Sequence, residues 1–193
     1  MTTMTEFRGG VAILPEVRLI TGKRHRDDRG HFCETFHQGR LAQQGIECPF
    51  VQDNESLSLQ RLTLRGLHFQ TGEHAQAKLM RVVAGAVFDV VVDLRRGSPR
   101  FGCHQVFELS AEEEALLFVP EGFGHGFCTL EDRTLVHYKV SRHHAPDHDS
   151  GLRWDDPDLA IAWPLDDAAP ILSEKDRCLP RLRDHPNLFT YAG

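Results

Sequence analysis

What this sequence has little of narrows the possibilities first. Its five cysteines, Cys33, Cys48, Cys103, Cys128 and Cys178, are scattered, odd in number and form no CxxC pair. Neither a disulfide framework nor a thiolate zinc site is expected from that spacing, which reads as buried thiols in a reducing compartment. No apolar run approaches the ~18 residues of a membrane span. The N-terminus has neither the basic nor the apolar region of a secretory signal, so a cytoplasmic protein is expected. Basic residues are outnumbered, 22 Lys+Arg against 28 Asp+Glu, for a net charge of −6. That balance excludes a nucleic-acid coat or a basic membrane patch. Only four lysines occur, Lys23, Lys78, Lys139 and Lys175. Positive charge is therefore mostly arginine, whose fork suits phosphate or carboxylate. Tyrosine and tryptophan are scarce at two each, whereas histidine reaches 12. Histidine serves metals, proton transfer or polar packing, so its positions become the question.

Long helical periodicity is nearly absent too. The clearest strand signals lie between residues 50 and 145. KLMRVVAGAVFDVVVDL (78–94) holds two β-branched runs broken at Gly85, the pattern of a hairpin with a short turn. Within its second run Val87, Asp89, Val91 and Asp93 share one face by the two-residue period. Further strands are expected over 104–109, 115–120 and 134–140, with a glycine-rich turn and strand over 120–127. A helix fits only over 36–44, ahead of Gly45, and near the C-terminus. From Ser141 the chain is rich in Pro, Asp and His and reads as an irregular segment packed on the rest. Strands at 8–12-residue spacing indicate a sandwich or barrel. The expectation is one β-dominated domain over 1–193, with its core at about 24–180.

Four segments could carry chemistry. In LRGLHFQ (64–70), Leu62, Leu64 and Gly66 share a parity with His68 and Gln70. His68 is then either a core histidine satisfied by one hydrogen bond or a base on a barrel interior. PEGFGHG (120–126) matches the P-x-G-x-x-H turn of cupin jelly rolls, where the histidine often binds metal. The other cupin signature carries H-x-H, and here its second histidine is Gln70. A 2-His-1-carboxylate site needs three strong ligands, so metal becomes the lesser reading. Tyr138, in an apolar strand, is a core tyrosine or a phenol acid facing a base. LSEKD (172–176) reads on its own as a solvated charge cluster.

Together these pieces carry a resemblance. DDRGHFCE (27–34), VQDN (51–54), LRGLHFQ (64–70), AQAKLMRV (75–82), FDVVVD (88–93), SPRFG (98–102), VPEGFGHGF (119–127), HYK (137–139), WDDP (154–157) and LSEKD (172–176) stand in one order. The chain resembles the dTDP-4-dehydrorhamnose 3,5-epimerase family of sugar-nucleotide epimerases, with a cupin-like jelly roll. The resemblance implies a dTDP-4-keto-6-deoxy-hexose substrate, proton exchange at C3 and C5 through an enolate, and neither metal nor redox cofactor. It assigns His68 as base, Asp176 as its partner, Tyr138 as acid and Lys78 as the cation near the C4 oxygen. Substrate contacts map onto Arg29, Glu34, Gln52, Asp53, Asn54, Arg65, His125, His144, Asp149 and Lys175. His144 stands where the family usually has a stacking tyrosine, Asp149 where glutamate is more usual, and Cys103-His104 where a Gln-Trp or similar pair is common. The family pattern implies a homodimer whose N-terminal region completes the neighbour's site, and rhamnose for lipopolysaccharide or exopolysaccharide as the product's use. Alternatives are a 3- or 5-epimerase of another deoxysugar route, a metal-dependent cupin oxygenase, and a non-catalytic sugar-binding cupin.

Overall fold

The computed structural model describes residues 14–193. In chain order the elements are β1 (Arg18–Thr21), β2 (Arg24–Asp27), β3 (Gly30–Cys33), α1 (Gln38–Ala42), β4 (Gln52–Ser58), β5 (Leu64–Gln70), β6 (Lys78–Ala84) and β7 (Ala86–Asp93). They continue with β8 (Arg95–Arg96), β9 (His104–Ser110), β10 (Ala115–Val119), β11 (Phe123–Thr129), β12 (Thr134–Val140), β13 (Asp149–Gly151), α2 (Glu174–Arg177) and β14 (Phe189–Thr190). Ten of the strands form two five-stranded antiparallel sheets, ordered β1-β10-β6-β12-β4 and β13-β5-β11-β7-β9. The result is a mainly β, cupin-like jelly roll, a sandwich as the strand spacing indicates and the fold that the resemblance implies. No helix among the described residues is long and apolar enough to cross a membrane.

The expected hairpin over 78–94 is not one. β6 pairs with β10 and β12, whereas β7 pairs with β9 and β11, so the two runs belong to opposite sheets. Gly85 turns this corner at φ +76°, and a Cβ there would sit 2.4 Å from Thr134 Oγ1. Turn chemistry marks a change of direction but does not say whether the strands then pair.

Period-two alternation divides each strand between the interior and an outer face. Met80, Val82, Val87, Val91, Leu117, Val119, Phe123, Phe127 and Val136 fill one end of the interior with apolar side chains. The opposite residues of β5 and β7, including Leu67, Phe69, Val90 and Val92, face outward, joined by Leu94 just past β7. Leu152, Leu159 and Leu182 of the irregular C-terminal segment cover them. On the other sheet Leu79 and Phe118 pack under Leu41 of α1 and Ile46. Helix α1 lies within the expected 36–44 and ends just before Gly45, at φ +76°. β2 and β3 form a separate two-stranded arm whose Phe32 is 71% exposed.

Candidate active site

Beyond the apolar end the interior opens into a polar cleft of two lobes. One, of about 480 Å³, is lined among others by Arg65, His68, Lys78, His125, Tyr138 and Asp176. The other, of about 310 Å³, is lined by Gln52, Asn54, His144, Asp149 and Lys175 together with the same His68, Lys78 and Tyr138. The three shared side chains make the lobes one continuous site.

His68 comes from β5. The parity expected for that strand breaks at Gly66, where the β5–β11 register shifts. Here the backbones approach so closely that a Cβ on Gly66 would lie 2.5 Å from Gly126 Cα. The irregularity turns Arg65, rather than Leu64 or Gly66, into the cleft beside His68. His68 Nε2 donates to Asp176 Oδ1 at 2.6 Å. Asp176 Oδ2 accepts from the Ser173 hydroxyl at 2.6 Å, and the Gly66 N–H approaches Oδ1 at 3.4 Å. Ser173 also caps α2, accepting from the Asp176 N–H at 3.1 Å. LSEKD is thus not a wholly solvated cluster: its last residue is 3% exposed and anchors the histidine. Burial pushes the Asp176 carboxyl up, but the bonds from His68 and Ser173 outweigh it and hold it below the usual carboxylate value. A fixed carboxylate on Nε2 sets the tautomer and leaves Nδ1 for a ligand.

Lys78 leads β6, and its ammonium donates to the His68 carbonyl at 3.1 Å. Burial lowers its pKa to about 8, against the opposing pull of Asp149 and Asp89. Tyr138 stands on β12 with its inner edge on the apolar core. Burial raises the phenol's pKa despite the nearby Arg65 charge, so the hydroxyl keeps its proton across the physiological range. The Arg65 guanidinium reaches over to β4, donating to Ser58 Oγ at 3.2 Å and the Leu57 carbonyl at 3.3 Å. In the second lobe Lys175 pairs with Asp149 at 2.5 Å, and Gln52 accepts from the His144 N–H at 3.0 Å.

His125 is the cross-strand neighbour of His68. Its Nε2 donates at 2.8 Å to Asp89 Oδ2, and the other Asp89 oxygen is buried without a hydrogen-bond partner. Asp89 and Ser173 were absent from the sequence-derived site. The signal for Asp89 was present, as an acid sharing the inward face of Val87 and Val91. Ser173 carried the weaker signal of a capping serine three residues before an acid.

Gln70 explains the missing H-x-H histidine. Its amide nitrogen donates to the carbonyls of His74 (2.7 Å) and His143 (3.3 Å), and its oxygen accepts from the Ala145 N–H at 2.8 Å. The side chain clips two loops at the rim. His68 and His125 already give Nε2 to a carboxylate, and the Lys78 ammonium lies beside them, a donor set unlike a metal cage.

Three residues expected at the site lie elsewhere in the chain. Asp53 faces out of its sheet and pairs with Lys139 at 2.7 Å, because alternation turns Gln52 and Asn54 inward. Arg29 pairs with Asp27 at the tip of the β2–β3 arm, and Glu34 pairs with Arg40 at 2.8 Å. Neither reaches the cleft of its own chain.

The comparisons with known proteins agree with this site. The family profile of dTDP-4-dehydrorhamnose 3,5-epimerase matches residues 12–184. The dTDP-4-dehydrorhamnose 3,5-epimerase of Methanothermobacter thermautotrophicus is 47% identical over 95% of this chain and 98% of its own. Among solved structures, the dTDP-6-deoxy-D-glucose-3,5-epimerase of Legionella pneumophila, in complex with dTDP-4-keto-L-rhamnose, superposes with a TM-score of 0.90. It has 39% identity and covers 95% of this chain and 97% of that one. The Bacillus anthracis dTDP-4-dehydrorhamnose 3,5-epimerase, bound to TDP and pyrophosphate, gives 0.84 at 46% identity, covering 89% and 98%. With cleft, fold and relatives in accord, the chain belongs to the dTDP-4-dehydrorhamnose 3,5-epimerase family.

Proposed function

We propose that the protein converts dTDP-4-keto-6-deoxy-D-glucose to dTDP-4-keto-L-rhamnose by epimerising C3 and C5, as a step toward dTDP-L-rhamnose. The observation that carries this reading is His68, held by Asp176 in a cleft that it shares with Lys78 and Tyr138. The 4-ketone acidifies the protons on the neighbouring carbons. His68 removes one through Nδ1, and Asp176 stabilises the imidazolium, as a carboxylate does in a triad. The electron pair moves onto O4, where the Lys78 ammonium offsets the enolate charge in a site of low dielectric. Tyr138 returns a proton to the opposite face, and solvent restores both groups. No electron is gained or lost overall. Arg65 serves the diphosphate. Gln52, Asn54, His144, Asp149 and Lys175 serve the nucleotide end, and His125 a polar group of the substrate.

Turnover of dTDP-4-keto-6-deoxy-D-glucose in heavy water tests the reading. Deuterium at both C3 and C5 is expected. Label at one carbon alone makes the protein a monofunctional epimerase, and no label overturns the assignment.

The protein acts as a homodimer in which each arm enters the neighbour's cleft. Support comes from the exposed Phe32 on the arm and from Arg29 and Glu34, which lie outside their own cleft. Asp53 contributes only on the outer face. Mixing inactive Arg29→Ala and His68→Ala chains regenerates activity if sites are shared, because one mixed site then holds both residues. Failure to complement removes the shared-site reading. A nucleotide-sugar substrate and five free thiols suit the cytoplasm, and the product suits lipopolysaccharide or exopolysaccharide rhamnose. One domain carries the whole reaction, without metal or redox cofactor.

A further inference from the structure

The arm carries a grouping that the cleft does not use. Alternation along β3 turns His31 and Cys33 to one side of the arm and Phe32 to the other. Opposite His31 and Cys33 lies Glu114, from the turn ahead of β10. One ligand atom from each of the three residues lies within 4.8 Å of the other two. Among the described residues this is the one His/Cys/Asp/Glu grouping of that kind.

Its surroundings hold it in place. Arg24, the cross-strand partner of Cys33, binds Glu114 through Oε1 and donates to the Ala111 carbonyl at 2.7 Å. Arg24 Nε and Nη2 both meet that one oxygen. The Gly22 N–H donates to the Glu114 carbonyl, fixing the backbone at the root of the arm. Arg24 and Arg81 place positive charge nearby, and Glu34 and Glu113 line the same groove.

An imidazole nitrogen, a thiolate sulfur and a carboxylate oxygen form a borderline-soft donor set of the kind that tetrahedral zinc takes, with a fourth position left for water. We propose that His31, Cys33 and Glu114 bind one zinc-like divalent ion that clamps the β2–β3 arm to the turn ahead of β10. The ion replaces the thiol proton, which leaves to solvent, and ends the hydrogen bond between Cys33 and Glu114. Arg24 remains on Oε1 as an outer partner that orients the carboxylate. The site is structural: it fixes the arm bearing Arg29 and Glu34 and lies on the face away from Phe32. Cysteine spacing gave no hint of it, because only one ligand is a thiol and the third is 81 residues away from Cys33 in sequence.

Cobalt(II) titration of the full chain under a non-thiol reductant tests it. We expect one cobalt per chain, a thiolate-to-cobalt charge-transfer band in the near ultraviolet, and displacement by zinc. Cys33→Ser and His31→Ala lose the band, while Cys178→Ser, which removes an exposed thiol elsewhere, keeps it. Metal-free melting of each variant confirms that the fold is unchanged. Protection of residues 24–33 from hydrogen exchange increases on adding zinc to the wild-type chain. Absence of the band at stoichiometric cobalt, or a band that survives Cys33→Ser, overturns the proposal.

Discussion

Two histidine–carboxylate pairs stand side by side in the cleft, on neighbouring strands and in direct cross-strand register. His68–Asp176 spans 2.6 Å and His125–Asp89 spans 2.8 Å. Yet the His68 side chain is 29% exposed and that of His125 only 8%. Asp176 comes from a short C-terminal helix and collects Ser173 and Gly66 as further donors. Asp89 belongs to the sheet itself and keeps one buried oxygen unpartnered. The same pair chemistry therefore has two outcomes. Where a ring nitrogen remains open to the cleft and the carboxylate is fully satisfied, the histidine can take and hold a proton. Where the ring is enclosed, the pair shapes a wall and sets a field.

That contrast breaks if the variants do not rank as follows. His68→Ala is expected to abolish label exchange at both carbons, a loss of ~10⁴-fold or more, at the upper end of what proton transfer supplies. Retained exchange makes another group the base. Asp176→Asn keeps a neutral partner beside Nε2 but removes the charge that stabilises the imidazolium, so kcat falls ~10³-fold with KM little changed. Tyr138→Phe costs ~10²-fold in epimer formation. Exchange of label without inversion is its signature, read by comparing deuterium content with product stereochemistry. His125→Asn and Asp89→Asn stay below the ~10²-fold of a proton-transferring group. A larger loss in either makes the two pairs functional equals.

A pH profile sharpens the same comparison. The Lys78 ammonium is charged below about 8, so the alkaline limb of kcat falls as pH rises through that value. Lys78→Arg moves the limb upward. The sign for stability is opposite. Between about 8 and the ordinary lysine range near 10.4, the unfolded chain binds the proton that the folded chain has lost. Stability contributed by this group therefore rises with pH across that window, as the cost of burying the charge disappears. Asp176, depressed in the fold, contributes stability above the unfolded carboxylate pKa and loses it as pH falls. Melting curves of wild type and Lys78→Met, compared across pH, separate the lysine's contribution.

Strands with regular alternation were legible in the sequence, β9, β10 and β12 nearly to the residue. Pairing was less legible, because β6 and β7 carry the local pattern of a hairpin while their partner residues lie 12–62 positions further on. The cleft was legible through motifs at His68, Tyr138 and His125, whereas Lys78 came through the resemblance. Alternation around Gly66 misplaced Arg65 and Leu64, since a close backbone crossing interrupts the period. Asp176 could be named only from the resemblance. Its burial depends on a helix of four residues docking from the far end of the chain, which no local pattern encodes.

Gln70 has a consequence for what its position can do. One residue, two along from His68 on the same strand, ties the loops around His74, His143 and His144 to the floor of the cleft. A histidine at this position would add one ligand but release both loops and strand three backbone groups. Metal ligation at residue 70 and the present placing of His144 at the rim are therefore mutually exclusive uses of one side chain.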